Sequence, residues 1–385
     1  MNPSHKLQNA HNNYNIVFRF WNEGDENTLN IFYNDPSIRP SANVEGYCPR
    51  TNEQWLWEYR PFSSHQPAYV VASHEGKVVG TQAYIPIPFM DEGKLITTGK
   101  DEDTLVHPQY RGMGILDKMY VHLFQHAKEK HVAMMWGFTG TAIKPLLRNG
   151  YKVIGDLEIY QKNLRFDLKD VKKLFKGKYN LVKATRYFIN NIAKKMRANP
   201  LDNETMTRMN EKLQLKEIVR PDAECDRFSK KFGQEWGGVT VHLCEDFLKW
   251  RVFNNPFKRY KVFAVYNGDD IIGMSIFKFD DKSKEGMVSD LVAIPIENVK
   301  LEDVLLMLLR PGLELFASRK YKSIKTIVQG GNVFNAIAEK VIQAAGFSKI
   351  TTSSRIMVKP LLQNERDDYY CDIKNWRISE ILSEY

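Results

Sequence analysis

Between Val106 and Tyr120 the chain reads VHPQYRGMGILDKMY, with Gly112 and Gly114 lying between an apolar run and a helical pattern. An apolar strand ends at Val106, and Pro108 cannot donate to a sheet ladder, so pairing stops there. Two glycines then let the backbone turn sharply and approach a ligand closely. A helix beginning near Ile115, with Leu116, Met119, Tyr120 and Leu123 on its apolar face, would aim the unpaired N–H groups of residues 111–115 at one point. That point carries partial positive charge and suits an anion, a pyrophosphate being the natural occupant. A bare glycine turn is the alternative. The stretch is not G-x-x-x-x-G-K-[ST], because no Lys-Ser/Thr pair follows. Nor is it G-x-G-x-x-G, because no third glycine follows.

Three acids, Asp101, Glu102 and Asp103, precede the loop on the same strand. Strand alternation would turn Asp101 and Asp103 to one face and Glu102 to the other, and a bulge would change the phase. Either face could supply a general base. Ordinary strand-edge acids are the competing reading, and Asp290 at the matching place in the second half of the chain favours it. His122 and His126 have the i, i+4 spacing of a metal pair, but no third ligand is apparent and a solvated helix face is expected. The aromatic run WLWEYRPF reads as an acceptor-site wall or as core packing, and FLKWRVF in the second half favours core.

The elements that position these residues recur. After the strand YNIVFRFW and a helix with Asp25 as the expected N-cap, a loop over 36–54 and the helix EQWLWEYRPF follow. A hairpin turns at Glu75-Gly76, a strand runs through KDEDTLVHP, and helix 115–130 comes next. The strand VAMMWGF, the helix TAIKPLLRN and the strand-like YKVIGDLEIYQKNL close the block. The second block repeats the order: LKEIVR, DAECDRFSKKF, EDFLKWRVFNNP, a hairpin turning at Asn267-Gly268, SDLVAIP, a helix over about 301–320, SIKTIV and NAIAEKVIQAAGF. Asp103 and Asp290 each precede a proline by five positions. Ala142 and Ala338 each precede a glycine by eight. The period is about 190 residues, too long for a solenoid. The chain reads as two copies of one α/β domain.

A chain of 385 residues supports two cores. Four scattered cysteines, Cys48, Cys225, Cys244 and Cys371, form no C-x-x-C pair, which argues against a disulfide or zinc framework. No apolar run reaches membrane-spanning length, and the N-terminal stretch lacks a signal-peptide apolar region. A cytoplasmic protein is expected. The net charge is +9, and residues 165–198 alone hold 11 Lys/Arg against 2 Asp/Glu. The excess therefore belongs to one segment, and a nucleic-acid partner is not indicated. Leu181, Ala184, Phe188, Ile192 and Met196 give that segment helical amphipathicity. It would dock on an anionic membrane or pack as an inter-domain helix.

The run DTLVHPQYRGMGIL, set in strand–strand–loop–helix–strand–helix–strand order, resembles the GCN5-related N-acetyltransferase (GNAT) family. That family's acyl-CoA loop is written Q/R-x-x-G-x-G/A, and Gln109-Tyr110-Arg111-Gly112-Met113-Gly114 matches it in full. The helix ending at Gly150-Tyr151 is similar to the family's closing helix. The resemblance covers residues 14–164 and extends weakly over 213–360. It implies an α/β fold of two tandem GNAT-like domains, each a central mixed β-sheet flanked by helices. The implied layout is an N-terminal domain over 1–164, a basic helical linker over 165–212, a degenerate second domain over 213–362 and a tail over 363–385. In that second domain IPIENVKLEDV replaces the loop and has no glycine, so one working cofactor site is expected. The tail either tucks in through Trp376, Ile378 and Ile381 or frays.

The resemblance implies acetyl-CoA as co-substrate, with no metal, held by Leu105, Val106, Gln109, Tyr110, Arg111, Gly112, Met113, Gly114, Ile115, Leu116 and Thr139. It implies direct transfer of acetyl to a primary amine in a ternary complex, with a backbone N–H near Leu105 or Val106 stabilising the oxyanion. Asp101, Glu102 and Asp103 are the candidate proton acceptors. The position where many members carry a proton-donating Tyr is Leu146, so Tyr151, Tyr110, Tyr160 or a water would replace it. Thr139 stands where an Asn often opens the closing helix, and Asn335 holds that place in the second copy. By analogy, the small amine acceptor is an amino sugar of bacterial surface-polysaccharide assembly. The alternatives are aminoacyl transfer of the tandem-GNAT peptidoglycan type, or a non-catalytic acyl-CoA-binding membrane adaptor.

Overall fold

A computed structural model describes residues 15–39, 42, 47–60, 66–139, 142–165, 213–362 and 365–383. The basic segment 165–198, and with it the expected membrane or linker helix, lies outside the described residues apart from Arg165. The chain divides into two compact units, Met1–Ile85 with Asp101–Lys130, and Pro86–Lys100 with His131–Tyr385. Strands β3 (Lys77–Asp91) and β4 (Lys94–Val106) run from one unit into the other.

The first unit holds β1 (Val17–Phe20), α1 (Glu26–Asn34), α2 (Asn52–Tyr59), β2 (Ala68–His74), the outer parts of β3 and β4, and α3 (Ile115–Glu129). Its strands lie in the order β1-β2-β3-β4. The run Ala68–Ala72 is wholly buried, and α3 packs on β2. Buried positions in α3 recur at Ile115, Leu116, Met119, Tyr120, Leu123 and Ala127, the stripe expected of an amphipathic helix. Asp25 does not cap α1. Its carboxylate accepts two hydrogen bonds from Arg19, at 2.6 and 2.8 Å, and one from the Asn22 amide at 2.7 Å. A bidentate charged partner has taken the acceptor that a cap would need.

The second unit begins with β5 (Met134–Thr139), α4 (Ile143–Arg148), β6 (Lys152–Asp156) and β7 (Ile159–Asn163). It continues with β8 (Gln214–Ile218), α5 (Ala223–Trp236), β9 (Val239–Val241), α6 (Glu245–Leu248), a π-helical turn (Lys249–Phe253), β10 (Arg259–Asn267), β11 (Asp270–Asp280) and β12 (Glu285–Ala293). Then come α7 (Leu301–Ser318), β13 (Ser323–Gln329), α8 (Val333–Ala344), β14 (Ser348–Ile350), β15 (Arg355–Pro360), α9 (Asp367–Tyr370) and β16 (Ile378–Ser379).

Two mixed sheets result. In this unit the first sheet runs β4-β5-β15-β6, with β4 and β5 parallel. The second runs β8-β10-β11-β12-β13-β7-β14, with β12 and β13 parallel. The duplication is visible in the matching orders, with one exchange. Strand β7, encoded before the basic segment, pairs β13 and β14 in the second sheet. Strand β15, encoded some 200 residues later, fills the place between β5 and β6 in the first. The β10–β11 turn centres on Gly268-Asp269, because Asn267 pairs Asp270, one residue later than the sequence pattern predicts.

The tail is tucked in. Trp376, Ile378 and Ile381 are buried, and Trp376 meets Phe89 edge-on at 5.8 Å. The Trp376 indole donates to the Tyr370 carbonyl at 2.8 Å, and Lys278 and Glu380 form a buried ion pair. No helix among the described residues is long and apolar enough to cross a membrane.

Candidate functional site

The loop after β4 is built from local bonds. The amide of Gln109 donates to His107 Nδ1 at 3.3 Å, and a 3-10 turn covers Pro108–Tyr110. Arg111 N donates to the Pro108 carbonyl, and its Nε donates to the Val106 carbonyl at 3.1 Å. Nη2 of Arg111 reaches the Ile38 carbonyl at 3.4 Å, so this side chain ties the loop to the strand end. Gly112 and Gly114 have φ of +82° and +72°, the left-handed region that side chains disfavour. A Cβ at either would meet nothing within 4 Å, so the space they face is open.

The first helical bond of α3 runs from Lys118 N to Gly114 O. Among the described residues, the amides of Gly112, Met113, Gly114, Ile115 and Leu116 have no acceptor. These donors sit at the positive end of a 15-residue helix. Leu105 and Val106 lie half-buried at the end of β4, Gln109 is exposed, and the Tyr110 hydroxyl lies 2.9 Å from His74 Nδ1. Of the amides of residues 111–115 that the pattern aims at one point, that of Arg111 is taken by the Pro108 carbonyl, so the open set starts one residue later, at Gly112.

The acids separate. Asp103 has φ of +52°, which breaks the strand alternation that would have put Asp101 and Asp103 on one face. Asp101 lies 3.5 Å from both Gln82 Nε2 and the Tyr120 hydroxyl of α3. Asp103 instead accepts from Arg50 Nη1 at 2.6 Å and from the Tyr69 hydroxyl at 2.9 Å. Glu102 is buried. The Arg50–Asp103 pair leaves each side chain only 5% exposed. Burial alone would lower the Arg50 pKa, but Asp103, Tyr69, Tyr59 and Glu58 outweigh it and raise the pKa well above the ordinary value. Burial, then the Asp103 charge, pushes the Tyr59 and Tyr69 phenols well up. Arg50 also donates through Nε to Asn30 and lies 3.6 Å from the Tyr33 ring centroid. Nothing in the sequence pattern marks Arg50, which stands in a Pro/Ser/Asn-rich loop 53 positions from its acid.

His122 and His126 do not form a metal pair. His122 stacks on Phe18 at 5.9 Å, while His126 Nδ1 lies 2.9 Å from the Tyr84 hydroxyl. Burial lowers the His126 pKa. Within WLWEYRPF, Trp55 and Tyr59 are wholly buried against Tyr69 and form core.

Thr139, Leu146, Tyr151 and Tyr160 belong to the second unit. Thr139 Oγ1 accepts from Ala142 N at 2.9 Å and holds the entry to α4. Leu146 and Tyr151 are buried. The Tyr160 hydroxyl donates to Glu339 at 2.6 Å, and burial raises its pKa. In the second copy, the segment between β12 and α7 has no glycine and makes a bridge from Ile296 to Val299. Lys300 O accepts from the Asp303 and Val304 amides, and the first turn of α7 carries Glu302 and Asp303, which would repel a phosphate. Asp290, the counterpart of Asp103, is also buried against an arginine, Arg377, and accepts from Ser379 at 3.1 Å.

Residues 43–154 match the acetyltransferase (GNAT) domain family, a region that contains the loop and all three acids. That region carries a GNAT domain, a superfamily whose co-substrate is an acyl-CoA. The chain's fold is that of a tandem member. A tandem GNAT protein from the clavulanic acid biosynthesis pathway superposes with a TM-score of 0.54 at 13% identity, over 91% of this chain and 100% of that one. A GCN5-related N-acetyltransferase from Anabaena variabilis gives 0.57 at 11% identity, over 90% and 73%. A probable N-acyltransferase from Enterococcus faecalis gives 0.56 at 9%, over 90% and 73%. At these identities the likeness is one of fold. No curated protein sequence matches the chain.

Proposed function

We propose that this chain moves an acetyl group from acetyl-CoA directly to a primary amine in a ternary complex. The carrying observation is the set of five unpaired amides, Gly112 to Leu116, at the positive end of α3 beside two left-handed glycines facing open space. That arrangement suits the CoA pyrophosphate. The amine nitrogen attacks the thioester carbonyl, an N–C bond forms, the C–S bond breaks, and a proton passes from nitrogen towards the leaving thiolate. Holding both reactants in line supplies much of the acceleration.

Asp103 is fixed by Arg50 and Tyr69, and its counterpart Asp290 is fixed by Arg377 in a copy without the loop. We therefore assign Asp103 a positioning role and leave Asp101 and Glu102 as the candidates for taking the amine proton. The Tyr160 hydroxyl is engaged by Glu339 and Tyr110 by His74, and we prefer none of the tyrosines over a water as donor to the thiolate. The amino-sugar acceptor rests on family analogy alone. The test is CoA release from acetyl-CoA with a panel of primary amines that includes amino sugars, alongside calorimetry of acetyl-CoA binding. Release with at least one amine is expected. Binding without release for every amine would overturn the transferase reading, and a folded protein that does not bind acetyl-CoA would overturn the loop assignment.

A further inference from the structure

We propose that Asp226, His242 and Cys244 form a binding site for a divalent transition metal, zinc in the first instance, separate from the acetyl-CoA loop. One carboxylate oxygen, one imidazole nitrogen and one sulfur lie within 4.8 Å of one another. Around a tetrahedral zinc, ligand distances of roughly 2.0–2.3 Å place neighbouring donor atoms about 3.5 Å apart. Small side-chain rotations therefore close the site. A thiolate, an imidazole and a carboxylate together favour zinc over the hard cations, which take oxygen donors.

The three ligands come from two elements that are already pinned. Asp226 lies in the first turn of α5, and its Oδ1 accepts from the Glu245 amide at 2.7 Å. His242 and Cys244 follow β9, and the His242 amide donates to the Pro88 carbonyl at 2.8 Å. His242 Nδ1 is 2.8 Å from Ser229 Oγ, which itself accepts from the Leu243 amide at 2.8 Å. With Nδ1 engaged there, Nε2 is the nitrogen left to bind the metal. The metal-bound form has Nδ1–H donating to Ser229 Oγ. A hydrogen-bonded histidine and a hydrogen-bonded carboxylate are the supports that protein metal ligands ordinarily have. His242 is buried, whereas Asp226 and Cys244 are partly exposed, so the fourth position falls to water. Binding converts the Cys244 thiol to thiolate and releases one proton. The metal ties the start of α5 to the entry of α6. The spacing Asp226…His242-x-Cys244 matches no zinc motif, so the sequence gives no sign of the site.

The test uses full-length, tag-free protein stripped by chelator and titrated with cobalt, followed by displacement with zinc. One cobalt per chain is expected, with thiolate-to-cobalt charge-transfer absorption that zinc abolishes. Cys244→Ser should remove that absorption, and Ser229→Ala should weaken binding roughly 10–100-fold. Absence of the absorption in the parent protein, or equal cobalt affinity in the parent, Cys244→Ser and Asp226→Asn, would overturn the site. If Cys244→Ser does not fold, alkylation of the parent protein decides. Zinc should protect Cys244 from iodoacetamide, read by peptide mass spectrometry, and unchanged labelling overturns the proposal.

Discussion

Neutralising Asp103 while keeping its shape separates a positioning role from a chemical one. In Asp103→Asn the amide oxygen can still accept from Tyr69 and Arg50, so the main loss is the negative charge 2.6 Å from Arg50 Nη1. Both side chains are 5% exposed, so little solvent screening offsets that loss. Removing one partner of such a buried pair costs about 3–5 kcal/mol. Glu58, 4.0 Å from the same nitrogen, remains as a second carboxylate and places the expected value near the lower end, about 3 kcal/mol. Arg50→Met strands the acid with only the Tyr69 hydroxyl and should cost about as much or more. The double variant Arg50→Met/Asp103→Leu removes both charges and should be less destabilised than the sum of the singles, with a coupling of about 2 kcal/mol or more. Urea unfolding followed by circular dichroism measures all four proteins, and CoA release is read on the same samples. If Asp103→Asn keeps the parent midpoint but loses about a hundredfold or more in turnover, the positioning role is wrong and Asp103 is the proton acceptor.

Gly112→Val and Gly114→Val should abolish acetyl-CoA binding by calorimetry while far-ultraviolet circular dichroism stays unchanged, since each Cβ enters open space but a left-handed backbone. Unchanged affinity would remove the loop from the cofactor site. Gly312→Ala in α7 should destabilise by about 1–3 kcal/mol despite alanine's better helix propensity, because its Cβ would lie 2.1 Å from the Phe277 ring. A raised urea midpoint would contradict that packing. Trp376→Ala should cost about 3–5 kcal/mol, measured the same way, because the indole is fully buried. A cost below about 1 kcal/mol would show that the tail does not carry core. Because burial lowers the His126 pKa, the unfolded chain takes up a proton that the fold resists. The stabilising contribution is therefore whole above the ordinary value of 6.5 and is lost as pH falls towards the lowered folded value. His126→Asn should flatten that acid limb in melting temperature against pH, and an unchanged slope would contradict the assignment.

The loop was legible in the sequence because its determinants are local: a strand end, a proline, two glycines and an apolar stripe within 15 residues. The same holds for α3, α4 and α7, whose limits fall within a residue or two of the pattern. The acids were half legible. Alternation rules carry no information about the left-handed backbone at Asp103, and its partner Arg50 is joined to it only by the fold. The length of β3 and β4 is not legible either, since Pro86 and Pro88 interrupt the apolar run that leads to the turn at Glu92-Gly93 and read as a strand end. The exchange of β7 and β15 left no trace in the pattern, because a strand's own residues do not say which of two similar sheets it joins. The cluster of Asp226, His242 and Cys244 was invisible because its carboxylate is set by the turn of a helix 16 positions upstream.

The exchanged strand also sets an order in time. Strands β5 and β6 are complete once residue 156 has been made, but the strand between them starts at Arg355. At about 5–20 residues per second, ribosomal synthesis of the intervening stretch takes roughly 10–40 s. Throughout that interval the nascent first sheet carries two unpaired edges, the sort of surface that chaperones shield and that neighbouring chains can capture. The second half has no glycine at the place of Gly112 and Gly114, yet it supplies the strand without which the first half's sheet stays open.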